Sequence, residues 1–528
     1  MGSIEMINRN LMSRLAATDM LVANVARQPE KEAIIFRKKR HTYKQFNDRV
    51  NRLAHGLMEL GLVKGDHAAI FSHNCDQFLI YWYALMKIGA IMVPVNWLYK
   101  GEELKYIINH SESKLFIVED AFIEQVQDVK EDLKTVKNFG FINLSGSKTP
   151  ADWFDIEDLQ KEEYPTDEPE VEINGHDIGL IIYTSGTESA PKGAMLTHMA
   201  LSISPAIFQY HFNYDKEMIF LMGLPCFHAA SLYSFTAIIG LGGATVVMYL
   251  PAPEDILELT TKEKITHWTW VTTIYATLLQ LPELENYDFS SIRGGTVFGS
   301  YVSPTMMRKW KELAPGIIFN TAYGQTECIS ITNNSGEEFE KHTDSVGRTM
   351  LYAQMQIQGP DGKKLPPGQE GEIVARSPVM MKGYFKDEEK TAAVFREGWL
   401  HTGDIGRVEE DGYLYFVDRI KDMIKTGGEN VASTDVEEAI LKHPDVAEVA
   451  VIGLYHPVWQ EAVTAVITPL PGKIVTPEEI IDHCKKSIAA YKVPKKVIIQ
   501  DDLPKSSVGK ILKKDLKKTY AETFNKQI

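Results

Sequence analysis

The sequence predicts an α/β fold in two domains, on three observations. Short apolar runs alternate with helix-length amphipathic stretches through most of the chain, the order expected of sheets faced by helices. After about residue 345 the rhythm changes to period-two strands separated by Pro/Gly turns. A helix-then-strand pattern resumes past residue 420, leaving about 100 residues, an ordinary domain size. The expected units are 1–420 and 421–528.

Taken in order, "HAAIFS", "KLFIVED", "GLIIYTS", "ATVVMYL" and "HWTWVTT" read as buried strands. "YKQFNDRVNRLAHGLMELG" carries Phe46, Val50, Leu53, Leu57 and Leu60 at helical spacing, with Gly61 as the stop. Between His228 and Glu254 lie 25 residues without a charge. That is long enough for a bilayer, but Gly240-Leu-Gly-Gly243 divides it into a buried helix and a buried strand, so no transmembrane segment is expected. "QMQIQGPDGKKLPPGQEGEIVARS" and "GRVEEDGYLYFVDRI" read as antiparallel elements turned at Pro360-Asp-Gly, Pro366-Pro-Gly and Asp411-Gly412. In "STDVEEAILKHP", Thr434 and Glu437 have the spacing of a capping box.

Composition narrows the function classes. The 528 residues carry a formal net charge of −15, against the basic surplus of a general nucleic-acid binder. The segment Lys485 to Lys526 runs the other way, with twelve lysines against four acids; this is a solvated face or a surface for a small polyanion. Four cysteines far apart, with no C-x-x-C pair, suggest neither zinc nor a disulfide framework and make a reducing cytoplasm the default. The N-terminus lacks a signal-peptide core.

The chemistry is concentrated in a few stretches. "YTSGTESAPKGAMLTH" follows a strand with Thr184, Ser185, Gly186 and Thr187, then Lys192, then what reads as a helix start. Hydroxyls, backbone N–H groups and an ammonium suit phosphate oxygens, although the Walker pattern fails. "TAYGQTE" offers Tyr323 to stack on a base and Glu327 as a hard oxygen ligand for Mg²⁺. "GWLHTGD" presents Asp404 to a ribose, and Arg419 lies one hairpin further on. "PKSSVGK" sets Lys510 on a glycine loop in the basic tail. Singly, each has a bland reading as core tyrosine, surface carboxylate or solvated lysine. Their joint order is harder to dismiss.

In that order, "YTSGT…PKG", "YGQTE", "GWLHTGD", "DRIKDMIKTGGEN" and "GKILKKDL" resemble the adenylate-forming acyl-CoA synthetases, from about Leu21 to Lys518. Fatty-acyl-CoA synthetases look most similar. The resemblance implies a large multi-layer N-terminal domain of sheets and helices and a small mobile α+β C-terminal domain. It also implies roles: Thr184, Ser185, Gly186, Thr187 and Lys192 on the ATP phosphates, Tyr323 beside adenine, and Thr326 at the α-phosphate. Glu327 would hold Mg²⁺, and Asp404 and Arg419 the ribose. Lys421 falls on the hinge, Gly427 and Gly428 line the coenzyme A passage, and Lys510 catalyses adenylation. The family's acyl pocket falls on His228, Ala229, Tyr233 and Gly299, with Ala230, Ser300, Cys328 and Ile329.

Three departures from the family pattern matter: Glu188-Ser189 for Thr-Gly, Ser433 for proline, and Gln460 for glycine. No acid or base stands among Ala229, Ala230, Tyr233, Gly299, Ser300, Cys328 and Ile329, which disfavours an amino-acid substrate and favours a medium- or long-chain fatty acid. A benzoate-like aryl acid comes second. Other readings are a ligase loading a carrier protein's phosphopantetheine arm and a silent nucleotide-binding regulator. The expected partners are therefore a small carboxylic acid, ATP and coenzyme A, not nucleic acid. Transient membrane contact would suit a long-chain substrate, and a homodimer stays an open expectation.

Overall fold

The computed structural model describes residues 14–184, 190–298, 304–426, 429–506 and 509–524. Four sheets organise it. A seven-stranded sheet runs, in spatial order, Phe154–Asp155, Asn138–Ile142, Leu115–Glu119, His67–Phe71, Ile91–Pro94, Ile178–Thr184 and Lys192–Thr197. A nine-stranded sheet has Ile318–Tyr323, Gly294–Phe298, His267–Val271, Ile219–Met222, Ala244–Val247 and Glu32–Phe36 as its parallel core. Every apolar run singled out above is one of these strands.

Strand side chains alternate between two cores, as period two requires. Ala68 and Ile70 join one cluster while Ala69 and Phe71 join another. Ile34 and Phe36 face that same first cluster, whereas Ile35 faces a third. The first cluster therefore lies between the two sheets. It encloses helices Asp76–Lys87 and Ala229–Leu241. All twelve residues of Asp76–Lys87 are buried, as expected of a helix sealed on every side. Helices outside each sheet complete a layered α/β domain.

The uncharged 25-residue stretch resolves as predicted, into helix Ala229–Leu241, a left-handed Gly242 and strand Ala244–Val247. No helix among the described residues is long and apolar enough to cross a membrane. Helix Tyr43–Glu59 is closed by a Thr42/Gln45 capping box, and Gly61 takes φ +86° just past its end.

A third sheet pairs Gln354–Gln358, Gly371–Arg376, Phe395–Arg396, Trp399–Val408 and Leu414–Arg419, all antiparallel. A fourth holds Ile424–Thr426, Glu429–Val431, Val446–His456, Gln460–Pro469 and Lys496–Ile499. The cores separate at the same place: the three clusters above end at Leu414, with Phe416 packed on their edge, and two smaller ones begin at Ile424. The chain thus has a large N-terminal and a small C-terminal domain.

Two local expectations fail. After the hydroxyl-rich loop the chain forms strand Lys192–Thr197, antiparallel to Ile178–Thr184, and the helix waits until His198. The chain after the loop is thus the second strand of an antiparallel pair, not a helix. The Thr434/Glu437 capping box also does not form. Helix Ser433–Leu441 starts two residues earlier, with Ala432 as N-cap and no side-chain cap. The Thr434 hydroxyl bonds Val417 O instead, and Glu437 accepts from Val451 N at 2.7 Å and pairs with Lys513 at 2.8 Å. Gln460, where the resembled family favours glycine, takes φ +70°, a conformation that disfavours side chains.

Candidate active site

The predicted site residues converge where strands of both large sheets end. Thr184 closes Ile178–Thr184, Tyr323 closes Ile318–Tyr323, and His228 follows Ile219–Met222. Carboxyl ends of parallel strands are where α/β sheets leave room for ligands. The third sheet adds Asp404 and Arg419, which stand directly opposite one another on neighbouring strands.

Asp404 is buried; the Tyr323 phenol donates to its Oδ2 at 2.6 Å, and Arg419 Nε lies 3.6 Å from Oδ1. Burial pushes the Asp404 carboxyl above its ordinary value, against the Tyr323 bond and the charges of Arg419, Lys421 and Lys510. The Tyr323 ring is itself largely buried and packs near Phe416 at 6.0 Å. The turn after it is tight: a Cβ on Gly324 would stand 2.1 Å from Ile329 O, and Ile329 takes φ 38°. Gln325 Nε2 ties this turn to Thr402 O at 3.2 Å; Thr326 is half-buried within it.

Beside Lys192 and Glu327, the structure adds a residue that sequence reasoning missed. Tyr384 donates to Glu327 Oε1 at 2.7 Å, and Lys192 Nζ lies 4.5 Å over its ring centroid. It arrives by long-range pairing, since Ala194 and Tyr384 form an antiparallel bridge and Phe385 N donates to Gly193 O at 2.7 Å. Burial, then Glu327, holds its phenol well above the ordinary range, so it stays a donor. No spacing pattern in "MKGYFKDE" announces it.

Glu327 is buried with Tyr384 on one oxygen. Among the described residues no three His, Cys, Asp or Glu side chains gather into a metal cluster. A lone carboxylate fits Mg²⁺, which commonly binds through one or two carboxylates plus substrate phosphates.

On the acyl side, His228 caps helix Ala229–Leu241 by position only. Its Nε2 is buried with no partner among the described residues, and burial, then Lys510, pushes its pKa down to about 3. Ala229, Tyr233 and Cys328 are buried beside it in the same apolar core.

Lys510 completes the arrangement. It sits on a turn closed by Ser506 N→Lys510 O at 2.7 Å, with Gly509 at φ +75°. Its side chain is exposed, yet desolvation, then Arg419, holds the ammonium below the usual lysine range against the attraction of Asp404. Both hold for a side chain that solvent still reaches while many protein atoms stand around its ammonium. Lys510 thus lies within electrostatic reach of Asp404 and of His228. Much of the remaining basic tail is a paired surface, with Lys485, Lys492, Lys505 and Lys513 all in ion pairs.

The calls on Ser185, Gly186, Thr187, Gly299, Gly427 and Gly428 lie outside the described residues, as do Glu188, Ser189 and Ser300.

A two-domain α/β fold that sets Tyr323 on Asp404, Asp404 opposite Arg419, and a C-terminal lysine within electrostatic reach of both is the arrangement of an adenylate-forming enzyme. The chain belongs to the AMP-binding enzyme family, matching it over residues 21–385 and its C-terminal domain over 435–510. Its relatives are AMP-forming acyl-CoA ligases. Feruloyl-CoA synthase of Amycolatopsis sp is 32% identical over 91% of this chain and 94% of the relative. The long-chain-fatty-acid–CoA ligase FadD13 of Mycobacterium tuberculosis is 31% identical over 92% and 94%. The ATP-bound structure of MatB from Rhodopseudomonas palustris superposes with a TM-score of 0.86 at 26% identity, covering 96% of this chain and all of that one.

Proposed function

We propose that this chain activates a medium- or long-chain fatty acid with ATP to the acyl adenylate, and then transfers the acyl group to coenzyme A. One observation carries the reading: Lys510 is within electrostatic reach of Asp404 and Arg419 on one side of the site and of His228 on the other. A carboxylate oxygen attacks the α-phosphorus as the α–β anhydride bond breaks and pyrophosphate leaves. Two anions must approach, and the Lys510 ammonium relieves their repulsion. Thr184 and Lys192 face the outer phosphates, Thr326 the α-phosphate, and Asp404 and Arg419 hold the ribose. Glu327, oriented by Tyr384, would hold Mg²⁺, which when bound supplies further positive charge to the phosphates. The thiol of coenzyme A then attacks the acyl carbon and expels AMP.

The two half-reactions need different surroundings. Residues 421–528 act as a mobile unit hinged at Lys421, withdrawing Lys510 after adenylation and presenting the loop of Gly427 and Gly428 to the thiol. The apolar acyl wall at Ala229, Tyr233 and Cys328 supports a fatty acid. A benzoate-like acid is the second reading, favoured by the feruloyl-CoA relative.

The test is a thioester screen across short- to long-chain fatty acids and benzoates, coupled to AMP formation, with free coenzyme A compared against a holo-carrier protein. Thioester formation peaking on benzoates overturns the fatty-acid assignment, and a preference for the carrier overturns coenzyme A. No acid-dependent pyrophosphate release with any acid leaves a silent nucleotide binder. Lys510→Ala should slow adenylation about 100-fold or more.

A further inference from the structure

Beside the site, a chain of buried polar contacts crosses Lys421. Asp418, one residue before Arg419, is buried, and its Oδ2 accepts from Ser433 N at 2.6 Å and from Ser433 Oγ at 2.7 Å. The Ser433 hydroxyl in turn accepts from Lys513 Nζ at 2.6 Å, and Lys513 also pairs with Glu437 at 2.8 Å. Asp418 Oδ1 is taken by Arg419 N at 2.7 Å. Asp418 belongs to strand Leu414–Arg419, pinned to Trp399–Val408 in the large domain, whereas Ser433, Glu437 and Lys513 belong to the small one. One end of the relay is next to Arg419; the other is three residues beyond Lys510.

We propose that Asp418, Ser433 and Lys513 form a latch that holds Lys510 at the site for adenylation, with Ser433 as its removable link; this rests on the adenylation reading above. Both Ser433 donors serve the one buried carboxylate, and a proline here, as the resembled family usually has, could supply neither. Turning the small domain about Lys421 leaves Asp418 behind, so these bonds break or stretch before the domain departs. The latch therefore favours the first half-reaction and must be released for the second. Asp418, Ser433 and Lys513 are positioning residues; none is asked to touch substrate.

Ser433→Pro tests it cleanly. Ser433 is the first residue of its helix, where proline is favoured, and Ala432 is already extended at ψ 124°, as a residue preceding proline must be. The backbone can accept the change while both donors vanish. Acid-dependent ATP–pyrophosphate exchange should fall about tenfold in turnover for Ser433→Pro, and by less for Ser433→Ala, which keeps the N–H. The KM for ATP and acid should move less than about twofold. Thioester formation from presynthesised acyl adenylate and coenzyme A should hold its rate or rise, which also reports that the variant is folded. Asp418→Asn should follow Ser433→Pro in direction. Unchanged exchange in Ser433→Pro and Asp418→Asn overturns the latch, as does an equal fall in both half-reactions. Wild-type exchange in Lys510→Ala removes the adenylation reading beneath the latch, and the latch with it.

Discussion

Replacing Tyr323 by phenylalanine deletes one oxygen and asks whether Asp404 is the sugar acceptor. In the native site the phenol donates to Asp404 Oδ2 at 2.6 Å. It is the largest of the influences opposing the burial that raises the carboxyl, ahead of Arg419, Lys421 and Lys510. Without it the carboxyl binds its proton more tightly still, and only the ionised form accepts from both ribose hydroxyls. A hydrogen bond to a charged group is worth about 1.5–3 kcal/mol, a loss of roughly 10- to 150-fold in kcat/KM for ATP. The acid limb of the profile should move to higher pH. Stability gives a second readout. Because the folded carboxyl lies above its unfolded value, folding disfavours the ionised form, and stability from this group falls as pH rises through the interval between the two. The substitution extends that interval upward, so the melting-temperature deficit should be present at neutral pH and shrink where Asp404 is protonated in both states. Pyrophosphate exchange and thermal melts across the acid-to-neutral range measure both. A loss of kcat/KM uniform with pH, together with an equal deficit at both ends, would refute the argument.

Tyr384→Phe keeps the ring under Lys192 and frees one Glu327 oxygen; it should raise the Mg²⁺ concentration for half-maximal rate about tenfold, read from a metal titration. Gly324→Ala puts a Cβ 2.1 Å from Ile329 O, and the displaced turn should cost about 100-fold in adenylation with KM for coenzyme A unmoved. Lys510, whose ammonium desolvation holds below the usual lysine range, should give adenylation an alkaline limb below that range. Lys510→Arg, always charged, should lack the limb; the same limb in both would assign it elsewhere. His228, pushed down to about 3, should stay neutral through the working range, so His228→Gln should leave the pH profile's shape unchanged.

Much of this site was legible in the residues because its signals are local. Asp404 and Arg419 were expected to meet across one hairpin, and the ladder sets them face to face. The strand runs were readable because they are apolar, short and bounded by turns. What failed was local pattern overruled by distant partners. Thr434 and Glu437 have capping-box spacing, but Val417 O, Lys513 and Val451 N compete for them and win. Lys192–Thr197 reads as a helix entry until its pairing with Ile178–Thr184 is known. Tyr384 was invisible since its value comes from a bridge to Ala194, 190 residues away.

Arg419 is the last rung of its ladder, and the second core begins only at Ile424. Whatever grips the Asp404–Arg419 pair therefore grips the root from which the smaller lobe hangs. On the proposed reading, a nucleotide seated there would tether the stem of the smaller lobe only a few peptide units from where its core begins.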